Sequence, residues 1–146
     1  MKPKAIILDI DGVILNSDFI FQEIHKLGLK GDEKWDYFYQ YCNSDRVQLM
    51  PKIEEFIWAV DEFNIIILTA RSEKVRPQTS QKLIKHRIPF DKMYMRNIDD
   101  LSPASCVKRE HLEKIMKDFD VIAFIDDDLT NCQMAKELGI LALRRV

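Results

Sequence analysis

The chain has 146 residues, of which 47% are hydrophobic and 32% charged, and a formal net charge of -2. That is the size and apolar content of one domain around one core, with no room for a separate catalytic partner domain. The mildly acidic balance excludes tight non-specific nucleic-acid binding through bulk charge and leaves only a local basic patch open. Cys42, Cys106 and Cys132 are widely spaced and form no C-x-x-C pair, which disfavours zinc or redox chemistry and fits a reducing cytoplasm. The apolar run over residues 5–15 is cut by Asp9 and Asp11, so it reads neither as a signal peptide nor as a membrane span, which needs about 20 apolar residues.

In chain order, Ala5-Ile6-Ile7-Leu8 is apolar without alternation, the pattern of a strand buried on both faces of a parallel sheet. Residues 13–50 follow, too long for a simple crossover. They contain the aromatic stretch Trp35-Asp36-Tyr37-Phe38-Tyr39-Gln40-Tyr41. It reads either as helix packing rings onto the core or as a small cap whose rings stack on a base. Pro51 opens a helix with Ile53, Phe56, Ile57 and Val60 at helical spacing. Asn64-Ile65-Ile66-Ile67-Leu68 is the second strand. Pro77 opens a helix with Leu83 and Ile84 on its apolar side, and residues 92–95 form a weaker strand. Pro103 opens a helix bearing Val107, His111, Leu112, Ile115 and Met116. Val121-Ile122-Ala123-Phe124-Ile125 is the third strong strand. Residues 129–138 make the last helix, closed by Gly139 in the C′ position, and residues 140–143 a final weak strand. This alternation predicts an α/β fold: a doubly wound parallel sheet with helices on both faces and a small helical insert after the first strand. Ligands in such sheets bind beyond the carboxyl ends of the strands.

Polar clusters stand at those ends. Asp9 and Asp11 follow the first strand, and two carboxylates so close call for a neutralising cation. An all-oxygen ligand set favours a hard ion such as Mg²⁺. Gly12 permits the turn that aims both side chains into one pocket. Thr69 ends the second strand with a hydroxyl suited to a phosphoryl oxygen, or to capping the next helix. Lys108, near a helix start, reads as a surface lysine by itself and as a phosphoryl-neutralising ammonium in this company. Asp126-Asp127-Asp128 ends the third strand. Helix capping explains Asp128, but three acids in a row exceed what capping needs.

Acid pair, hydroxyl, lysine and acid cluster in this order resemble the haloacid dehalogenase-like (HAD) phosphohydrolases, with their D-x-D-x-[TV], Ser/Thr, Lys/Arg and acidic-pair motifs. The residues here are Asp9-Ile10-Asp11-Gly12-Val13, Thr69, Lys108 and Asp126-Asp127. The resemblance implies a HAD-like Rossmannoid fold over 1–146, with 13–50 as a cap or lid insert. It also implies an aspartyl-phosphate mechanism, with Asp9 as nucleophile and Asp11 as general acid/base. Thr69 and Lys108 complete the catalytic set. Mg²⁺ would be held by Asp9, the Asp11 main-chain carbonyl and Asp127, with Asp126 as outer or alternate ligand. A general acid at Asp11 needs a pKa above the ordinary value of about 3.9. Gly12, Ala70, Arg71 and Arg76 are the expected substrate-binding residues.

Within the family the chain is similar to polynucleotide 3′-phosphatase domains of the phage polynucleotide kinase type, through Lys2-Pro3-Lys4-Ala5, Arg71, Val107-Lys108 and Phe119-Asp120-Val121. No G-x-x-x-x-G-K-[ST] loop is present, so kinase activity is not expected. Between Arg71 and Arg96 stand eight Lys/Arg against two acids. This stretch suits a phosphorylated nucleic-acid end or nucleotide, or is a solvated helix face. The competing readings are a mononucleotide or small-metabolite phosphatase and, in another class, a phosphoacceptor receiver module.

Overall fold

Ala5, Ile6, Ile7 and Leu8 are all buried in a computed structural model of the protein, which describes residues 1–146. They form β1 (Lys4–Leu8), the middle strand of a five-stranded sheet. The other strands are β4 (Asn64–Ser72), β5 (Lys92–Arg96), β6 (Asp120–Asp126) and β7 (Ala142–Arg144). Their order is β5-β4-β1-β6-β7 and every pairing is parallel. A parallel sheet must be covered on both sides, which is why its inner strands β1, β4 and β6 carry continuous apolar runs.

Alternate residues feed two separate cores. Ile6 and Leu8, with Ile65, Ile67, Ala123 and Ile125, face a larger cluster. It takes in α1 (Asp18–Leu27), α2 (Gly31–Tyr41), α3 (Ile53–Ala59) and α4 (Arg76–Lys85). Ala5 and Ile7, with Ile66, Leu68 and Phe124, face α5 (Ala104–Asp118) and α6 (Leu129–Glu137). The fold is therefore the expected doubly wound sheet. From β1 the chain runs outward through β4 to β5, then returns to β6 and β7 on the opposite side. The carboxyl ends of β1 and β6 thus lie side by side at the point of reversal, where such sheets bind ligands.

The region 13–50 leaves and rejoins the core through a two-stranded antiparallel ribbon, β2 (Leu15–Asn16) with β3 (Gln48–Leu49), and carries α1 and α2. Its aromatic residues pack largely on one another: Phe21 on Phe38 at 5.2 Å, Tyr37 on Tyr41 at 4.7 Å and Trp35 edge-on to Phe38 at 5.9 Å. Phe38 is buried, and Trp35 is the ring left most open to solvent.

Three local expectations shift. Ile84 does not share the buried side of α4 with Leu83 and is 66% exposed, because α4 turns only the Leu83 side inward. Thr69 does not close its strand: β4 runs on to Ser72, with a register shift against β5 after Leu68. The last strand is Ala142–Arg144, displaced toward the C-terminus from 140–143. Pro77 in the first turn of α4, Pro103 before α5 and Gly139 after α6 (φ 80) stand where expected. Phe124 is fully buried in the smaller core, so Phe124→Ala should cost about 3–5 kcal/mol of stability. Urea denaturation checks this value, and a loss below about 1 kcal/mol would mean the site collapses around the cavity.

Candidate active site

Asp9, the first residue past β1, is 7% exposed. Its Oδ1 accepts the Ile10 amide at 2.8 Å and faces Lys108 Nζ at 3.0 Å, whereas its Oδ2 takes no hydrogen bond from the protein. Lys108 reaches this point from the second turn of α5 and is 1% exposed. Its ammonium also donates to Asp126 Oδ2 at 2.6 Å. Burial alone would lower the lysine pKa, but the two carboxylates hold it above its ordinary value. Asp126 is fully buried at the end of β6, and further donors fill its oxygens: the Asp128 amide at 2.9 Å and the Asn131 side chain at 3.2 Å. Asp128 caps α6, its carboxylate accepting the Asn131 amide at 3.0 Å.

Asp9, Asp126 and Asp127 can bring one oxygen each to within 4.8 Å of one another. Burial pushes Asp9 well above the usual carboxylate range; Lys108 pulls it down, while Asp126 and Asp11 push it further up. Burial and then the Asp126 charge raise Asp127 to about 6. Carboxylates strained upward in this way, with oxygen ligands only, fit a hard divalent cation, which would relieve both. Gly12 lies against Asp127: its φ is 86, and a Cβ there would collide with the Asp127 carboxylate. The absence of a side chain lets the β1 loop and the β6 loop approach.

Asp11 stands outside this cluster and is held by a separate set of donors. Its carboxylate accepts Arg71 Nε at 2.9 Å, Arg71 Nη2 at 2.8 Å and the Ser17 hydroxyl at 2.5 Å. Burial pushes its pKa up, but the Arg71 charge and the hydrogen bonds from Arg71 and Ser17 outweigh that, and the net shift is downward. This corrects the expectation of a raised value at Asp11. The sequence shows the acid but not the guanidinium 60 positions away that holds it as an anion.

Arg71 also departs from its expected role. It is 2% exposed, and all five of its N–H donors are spent on Asp11, Asn43 Oδ1, Thr79 Oγ1 and the Cys42 carbonyl. It orients Asp11 and has no donor left for a substrate. Arg76 is likewise committed, forked onto Glu73 at 2.6 and 2.8 Å and onto the Met93 carbonyl at 2.8 Å, so it is not brought to the acids. Ala70 is half-buried, and its carbonyl accepts Arg96 Nε at 3.0 Å. Thr69 is 1% exposed; its Oγ1 accepts the Arg71 amide at 3.1 Å, which leaves its own O–H free to donate.

Ser17, Asn43, Thr79 and Asn131 escaped the sequence reading. Asn131 alone carries a signal, as a polar residue in the first turn of the helix behind the acid cluster. The other three are ordinary polar residues until the fold brings them to Asp11 and Arg71. Two surface grooves flank the site without including any of the clustered acids. One of about 470 Å³ lies between α2 and α4, and one of about 370 Å³ between α3 and β7.

A family model described as HAD superfamily, subfamily IIIB (acid phosphatase) matches residues 1–142. The chain belongs to that family. It is a HAD-type phosphatase, a phosphoric monoester hydrolase, from a superfamily that generally uses a divalent metal. No curated protein gives a significant match. Among solved structures, the phosphatase is similar to a chain of the Pnkp1/Rnl/Hen1 RNA repair complex, with TM-score 0.77 and 23% identity over 98% of this chain. It spans only 42% of that chain's length. A haloacid dehalogenase-like hydrolase from Streptococcus pneumoniae matches with TM-score 0.69 and 16% identity, over 97% of this chain and 84% of that one. The class C acid phosphatase from Bacillus anthracis, with tungstate bound, matches with TM-score 0.67 and 15% identity, over 99% and 68%. At these identities the structural matches establish the fold. No helix of this phosphatase is long and apolar enough to cross a membrane.

The raised Asp127 gives a pH test. Its carboxyl holds a proton more tightly folded, near 6, than unfolded, near 3.8. In chelator, its contribution to stability is therefore present below about pH 4 and lost as pH rises through about 6. Asp127→Asn should gain on the unsubstituted protein across that window. Urea midpoints of both proteins, taken below and above it, give the comparison. A difference that does not change with pH would contradict the assignment.

Proposed function

We propose that this phosphatase works through an aspartyl-phosphate on Asp9, with Mg²⁺ as its cation and phosphorylated nucleic-acid 3′ ends as its substrate class. The observation that carries the chemistry is the one-sided clamp on Asp9. Lys108 and the Ile10 amide hold Oδ1, and Oδ2 is left without a protein partner at the carboxyl end of β1. A carboxylate held in this way is positioned for in-line attack.

In the first step Asp9 Oδ2 bonds to phosphorus, and the bond between phosphorus and the leaving oxygen breaks. Asp11 delivers a proton to that oxygen. Because Asp11 rests as an anion, the proton arrives with the substrate, a phosphomonoester bound near its second pKa of about 6. In the second step water attacks the phosphoryl group, Asp11 takes its proton, and Asp9 is regenerated as phosphate leaves. The free Thr69 hydroxyl donates to a phosphoryl oxygen, and Lys108 offsets the charge that develops near Asp9. Asp9, the Asp11 main-chain carbonyl and Asp127 would hold Mg²⁺, with Asp126 behind them, its oxygens already taken by Lys108, Asp128 and Asn131. Held there, the ion would supply positive charge to offset that of the transferring group.

Two features support the 3′-end reading: the resemblance to polynucleotide 3′-phosphatases and the similarity to a chain of an RNA repair complex. Assays with Mg²⁺ on 3′- and 5′-phosphorylated oligonucleotides, mononucleotides and an aryl phosphate test it. Release should favour the 3′ end, stop in chelator and fall by at least about 10³-fold in Asp9→Asn. Asp11→Asn should cost far more on an alkyl phosphate than on an aryl phosphate, whose leaving group needs no proton. Preference for mononucleotides would move the substrate to a nucleotidase. A phosphorylated Asp9 that persists for minutes would favour a receiver-type module.

A further inference from the structure

Lys82, on α4, is 6% exposed, and its ammonium donates to one neutral acceptor, the Ser44 carbonyl, at 2.9 Å. No carboxylate pairs with it; the nearby Asp45 faces Lys85 instead, at 3.5 Å. One neutral acceptor leaves two of its three N–H donors unspent. Lys82 lines the groove of about 470 Å³ between α2 and α4. Gln78, Gln81, Lys82 and Lys85 recur at i, i+3, i+4 and i+7, so they form one polar stripe along α4. Tyr39, Gln40, Asn43 and Ser44 form the facing wall. The amides of Gln40, Gln78 and Gln81 make no hydrogen bond within the protein, and the Ser44 hydroxyl is shielded from solvent and unpartnered.

The groove begins where the catalytic network ends. Thr79 Oγ1 touches Arg71 Nη1 at 3.3 Å and the Asn43 side chain at 3.2 Å, and Arg71 grips Asp11. Lys82 lies one helical turn, about 5 Å, beyond Thr79, and Lys85 a further turn on. Ammonium groups with unspent donors suit phosphodiester oxygens, free amides suit base edges, and the Tyr39 ring offers a stacking face. A lone phosphomonoester has no second phosphate to place at Lys82.

We propose that the α2–α4 groove is a second anionic subsite, taking an internucleotide phosphate and its base from a single strand whose terminal phosphate lies at Asp9. The inference rests on reading Asp9 as the phosphate-receiving residue.

The test compares the unsubstituted enzyme with Lys82→Met and with the exposed pair Gln78→Ala/Gln81→Ala, whose folding should be unaffected. Substrates are a 3′-phosphorylated single strand, a nucleoside 3′-monophosphate and an aryl phosphate, across a salt series. KM for the strand should rise about fivefold or more in each variant, while kcat and both small substrates stay within about twofold. Lys82→Met should also flatten the dependence of log KM on log salt by about 0.7 to 1. Equal losses on all three substrates, or none on the strand, would overturn the groove. Fluorescence anisotropy of a labelled single strand lacking terminal phosphate separates this idea from the catalytic one. Weaker binding by both variants supports the groove even if no substrate is hydrolysed. Binding that is absent, or unchanged in the variants, rejects it even in an active phosphatase.

Discussion

Lys108, sealed between Asp9 and Asp126 with contacts of 3.0 and 2.6 Å, is the interaction on which the site depends. Three charges are taken out of water at that point, and each would be costly alone. Together they compensate, and the remaining oxygens of Asp126 are closed off by Asp128 and Asn131. Removing the lysine would leave two buried carboxylates facing each other beside a third, Asp127. The triad also divides labour between the oxygens of Asp9, one held and one open. Arg71 performs the matching service for Asp11. One cation therefore sits behind each acid of the D-x-D pair, and the two acids are pushed in opposite directions, Asp9 up and Asp11 down.

The topology makes this arrangement possible. Because the strand order reverses at β1, the ends of β1 and β6 are neighbours, and acids separated by more than a hundred positions meet without a long loop. The helices on the Phe124 face then supply what the acids need. α5 delivers Lys108 from below, and the first turn of α6 delivers Asn131 and the Asp128 cap. Parallel sheets with short crossovers place such helix starts beside strand ends as a matter of course. The glycine at position 12 is a local requirement of the same geometry, since it lets two acidic loops come into contact.

The insert is tied to this machinery. The last turn of α2 supplies the Tyr39 hydroxyl to the Ser72 amide, and the turn after it supplies Asn43 and the Cys42 carbonyl to Arg71. Any displacement of residues 39–44 would disturb the residue that positions Asp11. In this HAD phosphatase, the segment that borders the α2–α4 groove therefore also braces Asp11 through one shared guanidinium.

The strands, most helix starts and the order of the motif residues were legible in the sequence, because they depend on interactions between near neighbours. The apolar runs of residues 5–8, 64–68 and 121–125 need burial on both faces wherever they pair. Pro77, Pro103 and Gly139 act through their own backbone, and Asp9, Asp11, Thr69, Lys108 and Asp126-Asp127 are recognisable by type and order. Tertiary structure decided which charge faces which. Arg71 reads as a substrate ligand beside Thr69 and turns out to be consumed by Asp11 and Asn43. Asp11 reads as an acid with a raised pKa and is held down by that same arginine. Ile84 reads as core and lies outside it. Pairing energies of this kind depend on distance and solvent exclusion between groups tens of positions apart, and a linear sequence carries neither quantity.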